Sequence, residues 1–293
     1  MQIIDGNEIA TQFRAEIANE VRKMFEQGLR APHLAVIVAG ENPASQSYIK
    51  NKEKACQEAG FISTVYRLPD NISEEEILKI INFVNNDNEI DGVIVQLPLP
   101  NHINTDKIAQ AIIPAKDVDG FHPLNLGKMI AGLPCYIPAT PLGILKLIEK
   151  TGIETEGKHC VIVGRSNIVG TPLSIMLSRK TNPGNCTVTL CHSSTQNLKS
   201  HTLKADILIS AIGKPSIIKA DMVKENAVVI DVGINRISDI ETHSGSRIIG
   251  DVDFEEVSKK CSFITPVPGG VGPMTVIGLL LNTLKAARKE IYY

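Results

Sequence analysis

One lysine in the sequence occupies a position that charged residues usually avoid. In a helix over residues 43–60, Lys52 falls on the apolar stripe one turn after Tyr48, whereas the other charged residues of the segment point elsewhere. If this stripe faces a cleft, burial disfavours the ammonium form and lowers the pKa of the lysine, which then accepts or donates a proton readily. The alternative is a lysine whose stem lies along the stripe while its amine stays in water.

A glutamine at the end of a predicted strand is a candidate for orienting that lysine. The apolar run at 91–96 predicts a strand, and prolines at positions 98 and 100 end it because proline cannot donate to a strand ladder. The amide of Gln96 then lies at the carboxyl end of the strand. It either accepts a hydrogen bond from Lys52 or only ends the strand, and both interpretations fit the sequence.

Two aspartates in a predicted loop supply a candidate acceptor for a ligand. Segment 114–123 is rich in proline, glycine and aspartate, which is typical of a loop, and it contains Asp117 and Asp119 just before a glycine. Aspartates in this position usually form a turn. A carboxylate in a cleft would also accept hydrogen bonds from the N–H groups of a nitrogen-rich heterocycle.

Alternating strand and helix patterns position these groups in the first half of the chain. The predicted elements are, in order, a helix at 7–27, a strand at 33–40, a helix at 43–60, a strand at 61–68, a helix at 73–86 and a strand at 91–96. This alternation predicts a parallel sheet covered by helices on both faces. Ligands of such sheets bind beyond the carboxyl ends of the strands, where Gln96 and the aspartate loop are expected.

A second series of strands and helices carries a phosphate-binding pattern. A predicted strand at 158–163 runs into Gly164-Arg165-Ser166-Asn167-Ile168-Val169-Gly170, and an apolar helix follows through Leu177. A glycine turn between a strand and a helix presents free amide groups and the positive end of the helix dipole to a phosphate. Ser166 stands where the usual dinucleotide fingerprint has its second glycine, so the pattern departs from that fingerprint.

The end of the next predicted strand, at 186–191, distinguishes between dinucleotides. An NAD site places an acidic residue there to hold the ribose hydroxyls, whereas an NADP site places small polar and basic groups. The strand here ends in Cys191-His192-Ser193-Ser194-Thr195, which contains no acid. Arg165 and Ser193 are therefore candidates for binding an additional phosphate, and NADP is predicted in preference to NAD.

Two further strand ends and a glycine–proline segment complete the second half. Strands predicted at 205–211 and 227–232 end in Ile212-Gly213-Lys214-Pro215 and Gly233-Ile234-Asn235, which are two more cofactor edges. Segment 265–275 is dense in glycine and proline, which indicates close approach of the backbone to a ligand, a hinge, or both. The apolar helix that closes the chain is predicted to pack back on the first domain.

Composition and charge exclude several classes of protein. The 293 residues suffice for two domains, and a formal net charge of −2 at pH 7 leaves no basic surface for nucleic acid or an anionic membrane. No apolar run is long enough to span a membrane and no export signal is present, so we expect a cytoplasmic protein. The six cysteines and seven histidines show no paired metal spacing, which predicts buried reduced thiols and no metal site.

Five segments, in this order, resemble the bifunctional methylenetetrahydrofolate dehydrogenase/cyclohydrolase family along essentially the whole chain. They are Ser47-Tyr48-Ile49-Lys50-Asn51-Lys52, Gln96-Leu97-Pro98-Leu99-Pro100, Lys116-Asp117-Val118-Asp119-Gly120, Gly164-Arg165-Ser166-Asn167-Ile168-Val169-Gly170 and Pro266-Val267-Pro268-Gly269-Gly270-Val271-Gly272-Pro273. The resemblance implies an α/β protein with a folate-binding catalytic domain at 1–138, completed by 269–293, and a Rossmann-like NADP-binding domain at 139–268. It also implies a homodimer.

The resemblance implies two consecutive reactions in one cleft around Lys52. NADP takes a hydride from the methylene carbon of 5,10-methylenetetrahydrofolate, and water then opens the 5,10-methenyl cation to 10-formyltetrahydrofolate. The first step needs positioning rather than a strong acid or base, because two nitrogens stabilise the cation that forms. The second step needs proton transfer.

The resemblance also assigns site residues. They are Lys52, Gln96, Tyr48 and Asp119 for catalysis; Tyr48, Gln96, Leu97, Pro98, Asp119, Gly269, Gly270 and Pro273 for the folate; and Gly164, Arg165, Ser166, Ser193 and Ile234 for NADP. Lys52, held by Gln96, would manage the protons of ring opening. Tyr48 would stack on the aminobenzoyl ring, and Asp119 would accept hydrogen bonds from the pterin N–H groups.

The sequence departs from the family pattern in two places. Segment 180–185 lengthens the connection before the second strand of the nucleotide domain and is expected to form a surface loop. Ser194 stands where many relatives have a lysine or an arginine, which leaves Arg165 as the main cation for a 2′-phosphate.

Two rival interpretations remain at this point. A related NADP reductase acting on another small ring, such as a shikimate-like dehydrogenase, also combines a lysine-bearing α/β domain with a nucleotide domain, but it leaves Gln96 and the glycine–proline segment unexplained. A catalytically silent dinucleotide-binding protein has no use for Lys52 within an apolar stripe.

Overall fold

The computed structural model describes residues 1–41, 43–239 and 245–292, and for residues 43–45 and 47 it describes the backbone alone. The chain forms two compact units. We call Thr11–Ala139, together with the residues from Val276 onward, the lysine unit. Met1–Ala10 and Thr140–Thr275 form the glycine-loop unit.

Both units alternate strands with helices, which confirms the predicted α/β fold class. The strands are β1 (Gln2–Ile3), β2 (His33–Ala39), β3 (Ile62–Leu68), β4 (Gly92–Val95), β5 (His159–Val163), β6 (Thr187–Cys191), β7 (Ile207–Ser210), β8 (Val228–Asp231), β9 (Asn235–Ser238), β10 (Ser246–Ile249) and β11 (Phe263–Ile264). The helices are α1 (Gly6–Glu26), α2 (Pro43–Glu58), α3 (Glu74–Asn86), α4 (Thr105–Ala111), α5 (Pro123–Ala131), α6 (Ala139–Thr151), α7 (Gly170–Ser178), α8 (Leu198–Thr202), α9 (Phe254–Ser258) and α10 (Val271–Ala287).

The lysine unit is built on a parallel sheet of three strands in the order β3-β2-β4. Strand β2 is apolar from Leu34 to Ala39 because both of its faces are buried. Helix α3 begins with a capping box, in which the Oγ of Ser73 accepts the N–H of Glu76 at 3.3 Å and Glu76 Oε2 accepts the N–H of Ser73 at 3.0 Å. Apolar residues of α3 and α4 complete the core on this sheet.

A histidine ties together the amino ends of these strands. The backbone N–H of His33 donates to Asp91 Oδ2 at 2.8 Å, and its Nε2 lies 2.9 Å from the Oγ1 of Thr64 on β3. Its Nδ1 lies 3.0 Å from the carbonyl oxygen of Glu89, just before β4. Asp91 in turn pairs with Arg30 at 2.7 Å. One side chain therefore joins three strands at the end opposite the predicted site.

The glycine-loop unit is built on a parallel sheet of six strands in the order β1-β11-β8-β7-β5-β6. Strand β1 lies at its edge and pairs with β11, with Gln2 opposite Phe263. The first ten residues therefore belong to this unit, whereas the sequence predicted a first domain running from residue 1 to 138. A two-residue strand has no hydrophobic period, so the sequence carried no signal for it. Strands β9 and β10 form a separate antiparallel pair.

The second sheet has the same histidine arrangement as the first. The backbone N–H of His159 donates to Asp206 Oδ2 at 2.9 Å, and its Nε2 lies 2.9 Å from the Oγ1 of Thr189 on β6. Its Nδ1 lies 3.2 Å from the carbonyl oxygen of Lys204. Asp206 pairs with Lys224. The amino ends of β5, β6 and β7 are therefore joined as those of β2, β3 and β4 are.

Helix α10 passes from one unit into the other. From Val276 onward its residues belong to the lysine unit, which agrees with the predicted packing of the closing helix on the first domain. The buried Asn282 donates through Nδ2 to the carbonyl oxygens of Val118 and Ile137, both at 2.8 Å. Arg288 pairs with Glu20 at 2.7 Å. The unit boundary lies after residue 275, whereas the sequence placed the boundary at 269.

All six cysteines are buried free thiols, as predicted. In the part of the chain that the structure describes, no helix is both long and apolar enough to cross a membrane. Among the same residues, no group of three or more histidine, cysteine, aspartate or glutamate side chains is arranged to hold a metal ion.

Candidate active site and dinucleotide site

Lys52 and Gln96 form a direct pair at the carboxyl end of the first sheet. The Nζ of Lys52 donates to Gln96 Oε1 at 2.9 Å. The other end of the amide is fixed, because Gln96 Nε2 donates to the carbonyl oxygen of Leu97 at 2.8 Å and the backbone N–H of Gln96 donates to Ile37 at 2.8 Å. The structure thus contains the hydrogen bond that the sequence left as one of two alternatives.

Helix α2 presents Lys52 from the middle of its buried side. Ile49 and Cys56 flank it on one side and Ala55 and Ala59 on the other, and all four are buried. Lys52 itself is half-buried, so part of the residue remains accessible to solvent. The lysine therefore lies where burial and access to a ligand are combined.

The electrostatics of the pair depend on burial and on Asp119. Burial lowers the pKa of Lys52, and the negative charge of Asp119 raises it in part. Burial also raises the pKa of Asp119 to about 6, while the charge of Lys52 opposes that shift. Burial raises the pKa of the neighbouring Cys56 to about 12, so that thiol remains protonated and is no rival for proton transfer.

The two aspartates of the predicted loop have different surroundings. The carboxylate of Asp117 is 2% exposed and accepts the backbone N–H groups of Phe121 at 3.1 Å and His122 at 2.8 Å, together with Asn125 Nδ2 at 2.8 Å. Asp117 therefore holds the turn. Asp119 is half-buried and interacts with the charge of Lys52. Of the two, Asp119 is the carboxylate available to a ligand.

A pocket in the lysine unit is lined by the two aspartates and by apolar side chains. Asp119 lines it together with Val95, Leu97, Leu99 and Phe121. Pro98, between two of these leucines, is exposed. A carboxylate among apolar side chains suits a flat heterocycle that has N–H donors at one edge.

Tyr48 lies one turn before Lys52 on α2 and is half-buried. The two side chains share one side of the helix because residues four apart lie one above the other. The first residue of the matching segment, Ser47, is among those whose side chains lie outside the described part of the chain. The structure therefore places Tyr48, Lys52, Gln96 and Asp119 in the same unit.

The glycine turn between β5 and α7 is packed so closely that a Cβ at either of its glycines would collide with backbone. A Cβ at Gly164, whose φ is +121°, would lie 2.1 Å from the carbonyl oxygen of Ala211. A Cβ at Gly170 would lie 1.8 Å from the carbonyl oxygen of Gly164. Ser166 caps the turn, since its Oγ accepts the N–H of Val169 at 3.2 Å. This backbone fits the phosphates of a dinucleotide.

The ends of β5 and β6 bring the predicted 2′-phosphate residues to one level. Val163 is the register partner of Cys191, and the N–H of Gly164 donates to the carbonyl oxygen of Cys191 at 2.9 Å. Arg165 and Ser193 each follow two residues beyond these partners, and both are exposed. Neighbouring strands therefore deliver a guanidinium and a hydroxyl to the same edge of the sheet.

The remaining predicted site residues lie on loops of the glycine-loop unit or, for Pro273, at the start of α10. Ile234 is 44% exposed beyond β8. Gly269 has a φ of +102°, and a Cβ at Gly270 would lie 2.5 Å from the carbonyl oxygen of Pro266. Pro273 lies in the first turn of α10. The close backbone packing at Gly270 explains the density of glycine in this segment.

Sequence reasoning missed two buried aspartates of the same unit, Asp231 and Asp251. Asp251 is fully buried and Asp231 is 3% exposed. A signal was present, since each aspartate lies within two residues of a glycine, in Asp231-Val232-Gly233 and Gly250-Asp251. The sequence did not indicate which N–H groups donate hydrogen bonds to these carboxylates.

Two family models match consecutive parts of this chain. Residues 4–119 match the family model of the tetrahydrofolate dehydrogenase/cyclohydrolase catalytic domain, and residues 138–291 match that of the NAD(P)-binding domain. The bifunctional protein FolD of Cytophaga hutchinsonii is 55% identical over 287 residues, which cover 98% of this chain and 99% of the relative.

Two solved structures resemble the whole chain. The bifunctional enzyme FolD of Campylobacter jejuni, a methylenetetrahydrofolate dehydrogenase/cyclohydrolase, has a TM-score of 0.92 at 48% identity and covers 99% of both chains. The Trypanosoma brucei enzyme, solved with NADP cofactor and inhibitor, has a TM-score of 0.93 at 34% identity and covers 99% of this chain and 98% of the other. Family models over both halves and identity along the full length show that this chain belongs to the tetrahydrofolate dehydrogenase/cyclohydrolase family.

Proposed function

We propose that the protein oxidises 5,10-methylenetetrahydrofolate to 5,10-methenyltetrahydrofolate with NADP and then hydrolyses the product to 10-formyltetrahydrofolate, in one-carbon folate metabolism. The observation that carries the residue assignment is the hydrogen bond between Lys52 Nζ and Gln96 Oε1, 2.9 Å long, beside the carboxylate of Asp119. Both steps are assigned to the site around Lys52.

In the hydrolytic step, water adds to the carbon between N5 and N10, the bond from that carbon to N5 breaks, and one proton is released overall. Lys52 is the proposed proton carrier. Burial lowers its pKa and so favours the neutral amine, the form that takes a proton from the attacking water. The ammonium that results donates to N5 as the bond breaks. Gln96 accepts one N–H of the amine and so directs its lone pair.

In the oxidative step the protein supplies position and exclusion of water. NADP, when bound, accepts the hydride. Asp119 is proposed to accept the pterin N–H groups from its place in the pocket with Leu97 and Phe121. Tyr48 is proposed to stack on the aminobenzoyl ring. Gln96, Leu97, Pro98, Gly269, Gly270 and Pro273 are proposed to complete the folate site.

The dinucleotide is proposed to lie on the glycine turn of the glycine-loop unit. The backbone of Gly164 and Ser166 supports its phosphates, Arg165 and Ser193 bind the 2′-phosphate, and the Ile234 backbone contacts the far end. NADP is favoured over NAD because no acid follows β6 to hold a free 2′-hydroxyl. Ser194 is exposed there and adds no charge.

The rivals lose their support. A reductase of another ring leaves the Lys52–Gln96 pair without a role, and a silent dinucleotide-binding protein leaves a desolvated amine beside a carboxylate without one. We also propose a homodimer located in the cytoplasm, as the resemblance and the composition indicate. Light scattering of the purified protein measures its oligomeric state, and cell fractionation measures its location.

The experiment is a paired assay of the wild type and Lys52→Met. One assay follows NADP-dependent oxidation of methylenetetrahydrofolate, and the other follows hydrolysis of added methenyltetrahydrofolate. Hydrolysis is expected to fall by about 10²–10⁴-fold, the usual contribution of a positioned acid or base, while hydride transfer partly survives. The matched control is Lys50→Met, which alters an exposed lysine of the same helix. If both activities of Lys52→Met equal those of the wild type, Lys52 is not the proton carrier.

A further inference from the structure

Two buried carboxylates in the glycine-loop unit have no part in the reaction described above. Asp251 is fully buried and Asp231 is 3% exposed. Strands β7 and β8 are neighbours in the sheet, and Asp231 is the last residue of β8. A charged group is rarely buried so deeply unless it is fully hydrogen-bonded, so the donors around each carboxylate indicate its role.

The carboxylate of Asp251 gathers donors from the ends of both strands. Its Oδ2 accepts the backbone N–H groups of Ile212 at 2.7 Å and Gly213 at 3.1 Å. Its Oδ1 accepts the N–H of Lys214 at 2.9 Å and Asn235 Nδ2 at 2.9 Å. The hydroxyl of Ser210, the last residue of β7, also donates to Oδ2 at 3.3 Å. Three successive amides after β7, this hydroxyl and one side chain after β8 therefore converge on a single carboxylate.

The backbone packs directly against this carboxylate. A Cβ at Gly233 would lie 2.1 Å from Asp251 Oδ1. Gly233 precedes Ile234, and Asn235 follows it, so both neighbours of Ile234 are held at Asp251. The position of the Ile234 peptide is thus set by a residue 17 positions later in the chain.

Asp231 fixes the backbone on both sides of Asp251 by accepting N–H groups from it. Its Oδ1 accepts the N–H of Asp251 at 3.0 Å and that of Gly233 at 2.9 Å, and its Oδ2 accepts the N–H of Val252 at 2.9 Å. A Cβ at Gly250 would lie 1.8 Å from Asp231 Oδ2. The two aspartates therefore form one rigid support under the exposed segment that follows β7.

The sheet order identifies what this support faces. The phosphate turn follows β5, and the candidate 2′-phosphate residues follow β5 and β6. Strands β7 and β8 lie on the other side of β5, so their ends face the opposite half of a dinucleotide laid across the edge. That half carries the nicotinamide ring.

We propose that Asp251 is a positioning residue for the nicotinamide half of NADP, which it serves by fixing the backbone of residues 212–214 and the side chain of Asn235. This inference rests on the proposed function, because it requires NADP at the glycine-loop unit. It does not concern the folate residues of the lysine unit. Loss of the support is therefore expected to affect use of NADP and to spare hydrolysis of added methenyltetrahydrofolate, which consumes no dinucleotide.

The test uses two variants and one matched control in the full-length protein. Asp251→Asn removes the negative charge and replaces one acceptor oxygen by an NH₂ group, which then faces backbone N–H donors in place of an acceptor. Asn235→Ala removes a single donor and leaves the carboxylate in place. The control is Asp253→Asn, the same change two residues later, where the carboxylate pairs with Lys219 at the surface at 3.0 Å.

For Asp251→Asn we expect the KM for NADP to rise about tenfold or more, as loss of a charge-assisted hydrogen bond implies, with hydrolysis within about twofold of the wild type. Asn235→Ala is expected to raise this KM severalfold, and Asp253→Asn to leave it unchanged. An unchanged KM for NADP in Asp251→Asn overturns the inference.

If Asp251→Asn loses both activities because it fails to fold, Asn235→Ala decides the question. A raised KM for NADP with normal hydrolysis supports the inference, and a wild-type KM overturns it. Failure of the proposed function has a different signature, since the wild type itself would then show no NADP-dependent oxidation, and the inference would fall with it. If the wild type oxidises methylenetetrahydrofolate with NADP and both variants have its KM for NADP, the inference is overturned while the proposed function stands.

Discussion

The two sheets are fixed in the same way at their amino ends and are equipped differently at their carboxyl ends. His33 in the lysine unit and His159 in the glycine-loop unit each open a central strand, donate a backbone N–H to an aspartate and reach a threonine on the neighbouring strand. Both arrangements lie away from the candidate sites. They join strands, which is a structural task common to both units.

At the carboxyl ends, the lysine unit presents ionisable side chains. Lys52, Gln96 and Asp119 come from a helix, a strand end and a loop, and burial shifts the pKa values of the two charged groups. The glycine-loop unit instead presents backbone, with Gly164 and Gly170 in contacts that exclude a Cβ. Its buried carboxylates support loops.

The difference follows from the two tasks. Ring opening by water requires a group whose protonation changes near neutral pH, and only a side chain can provide it. Holding a dinucleotide requires amide N–H groups in a fixed array, which the backbone provides once its shape is set. The comparison therefore predicts that variants at the carboxyl end of one sheet change oxidation and hydrolysis to different extents. Variants at the amino ends should leave both activities unchanged.

Among the further variants that test this comparison, Gly170→Ala has the largest expected effect. The added Cβ would lie 1.8 Å from the carbonyl oxygen of Gly164 and would force the phosphate turn open. NADP-dependent oxidation is expected to fall by about 10²-fold or more, the result of losing several contacts to the phosphates. Hydrolysis of added methenyltetrahydrofolate is expected to remain.

The matched control for this variant is Gly127→Ala, on α5 of the lysine unit, where a Cβ has no neighbour within 4 Å. Alanine in a helix is favoured over glycine by about 0.5–1 kcal/mol, so thermal unfolding should shift upward with both activities retained. Equal loss of oxidation and hydrolysis in Gly170→Ala would contradict the separation of tasks.

Buried carboxyl groups should make the stability of both units depend on pH in the same direction. Burial raises the pKa of Asp117 and of Asp231 to about 6, above the ordinary value of 3.8. The folded state therefore binds these protons more tightly than the unfolded state. Each group stabilises the fold fully below about pH 4, and this contribution is lost as the pH rises through about 6.

Replacement by asparagine removes the titrating group and should remove that part of the pH dependence. For Asp117→Asn or Asp231→Asn, the fall in the free energy of unfolding between pH 4 and 7 should be smaller than in the wild type by about 2 kcal/mol. Urea unfolding at a series of pH values measures it. A variant with an unaltered pH dependence would show that its aspartate does not titrate in this range.

The pH profile of hydrolysis should respond to Asp119→Asn. The charge of Asp119 raises the pKa of Lys52, so its removal lowers that pKa further and yields the neutral amine at lower pH. The part of the pH profile in which the rate of hydrolysis rises with pH, its rising limb, is therefore expected to move to lower pH. The kcat/KM should fall about tenfold, because the proposed contact with the pterin would be lost.

The rate of hydrolysis measured from acid to alkaline pH tests this expectation, with the exposed Asp106→Asn as control. A limb that moves to higher pH would show that Asp119 does not act on Lys52 through its charge. A limb that stays in place while kcat/KM falls would restrict Asp119 to binding.

The smallest effects are expected at the amino ends. His33→Ala and His159→Ala each remove two side-chain hydrogen bonds of similar length. Each should lower the free energy of unfolding by about 1 kcal/mol and leave the KM for folate and for NADP unchanged. Chemical unfolding and steady-state kinetics of both variants measure this. A change in either KM would mean that the amino ends influence the sites.

The sequence by itself determined the fold class and most of the elements, because hydrophobic periodicity and caps are local signals. It singled out Lys52 by its position on an apolar stripe, and it placed Gln96 at a strand end. The resemblance assigned the family from five short segments, and the comparisons confirmed it. The NADP preference also followed from one strand end, since it depends on the absence of a single acid.

The tertiary structure shows that Asp117 holds the turn, whereas the loop pattern alone could not distinguish it from Asp119 because both precede the same glycine. Before the structure, only the family resemblance had singled out Asp119. Only the tertiary structure placed β1 beside β11 and gathered residues 212–214 and Asn235 around Asp251. Asp251 is 39 residues from Ile212, one of its donors. Contacts between residues so far apart in the chain leave no period or spacing in the sequence, because they arise only when strands and loops pack together.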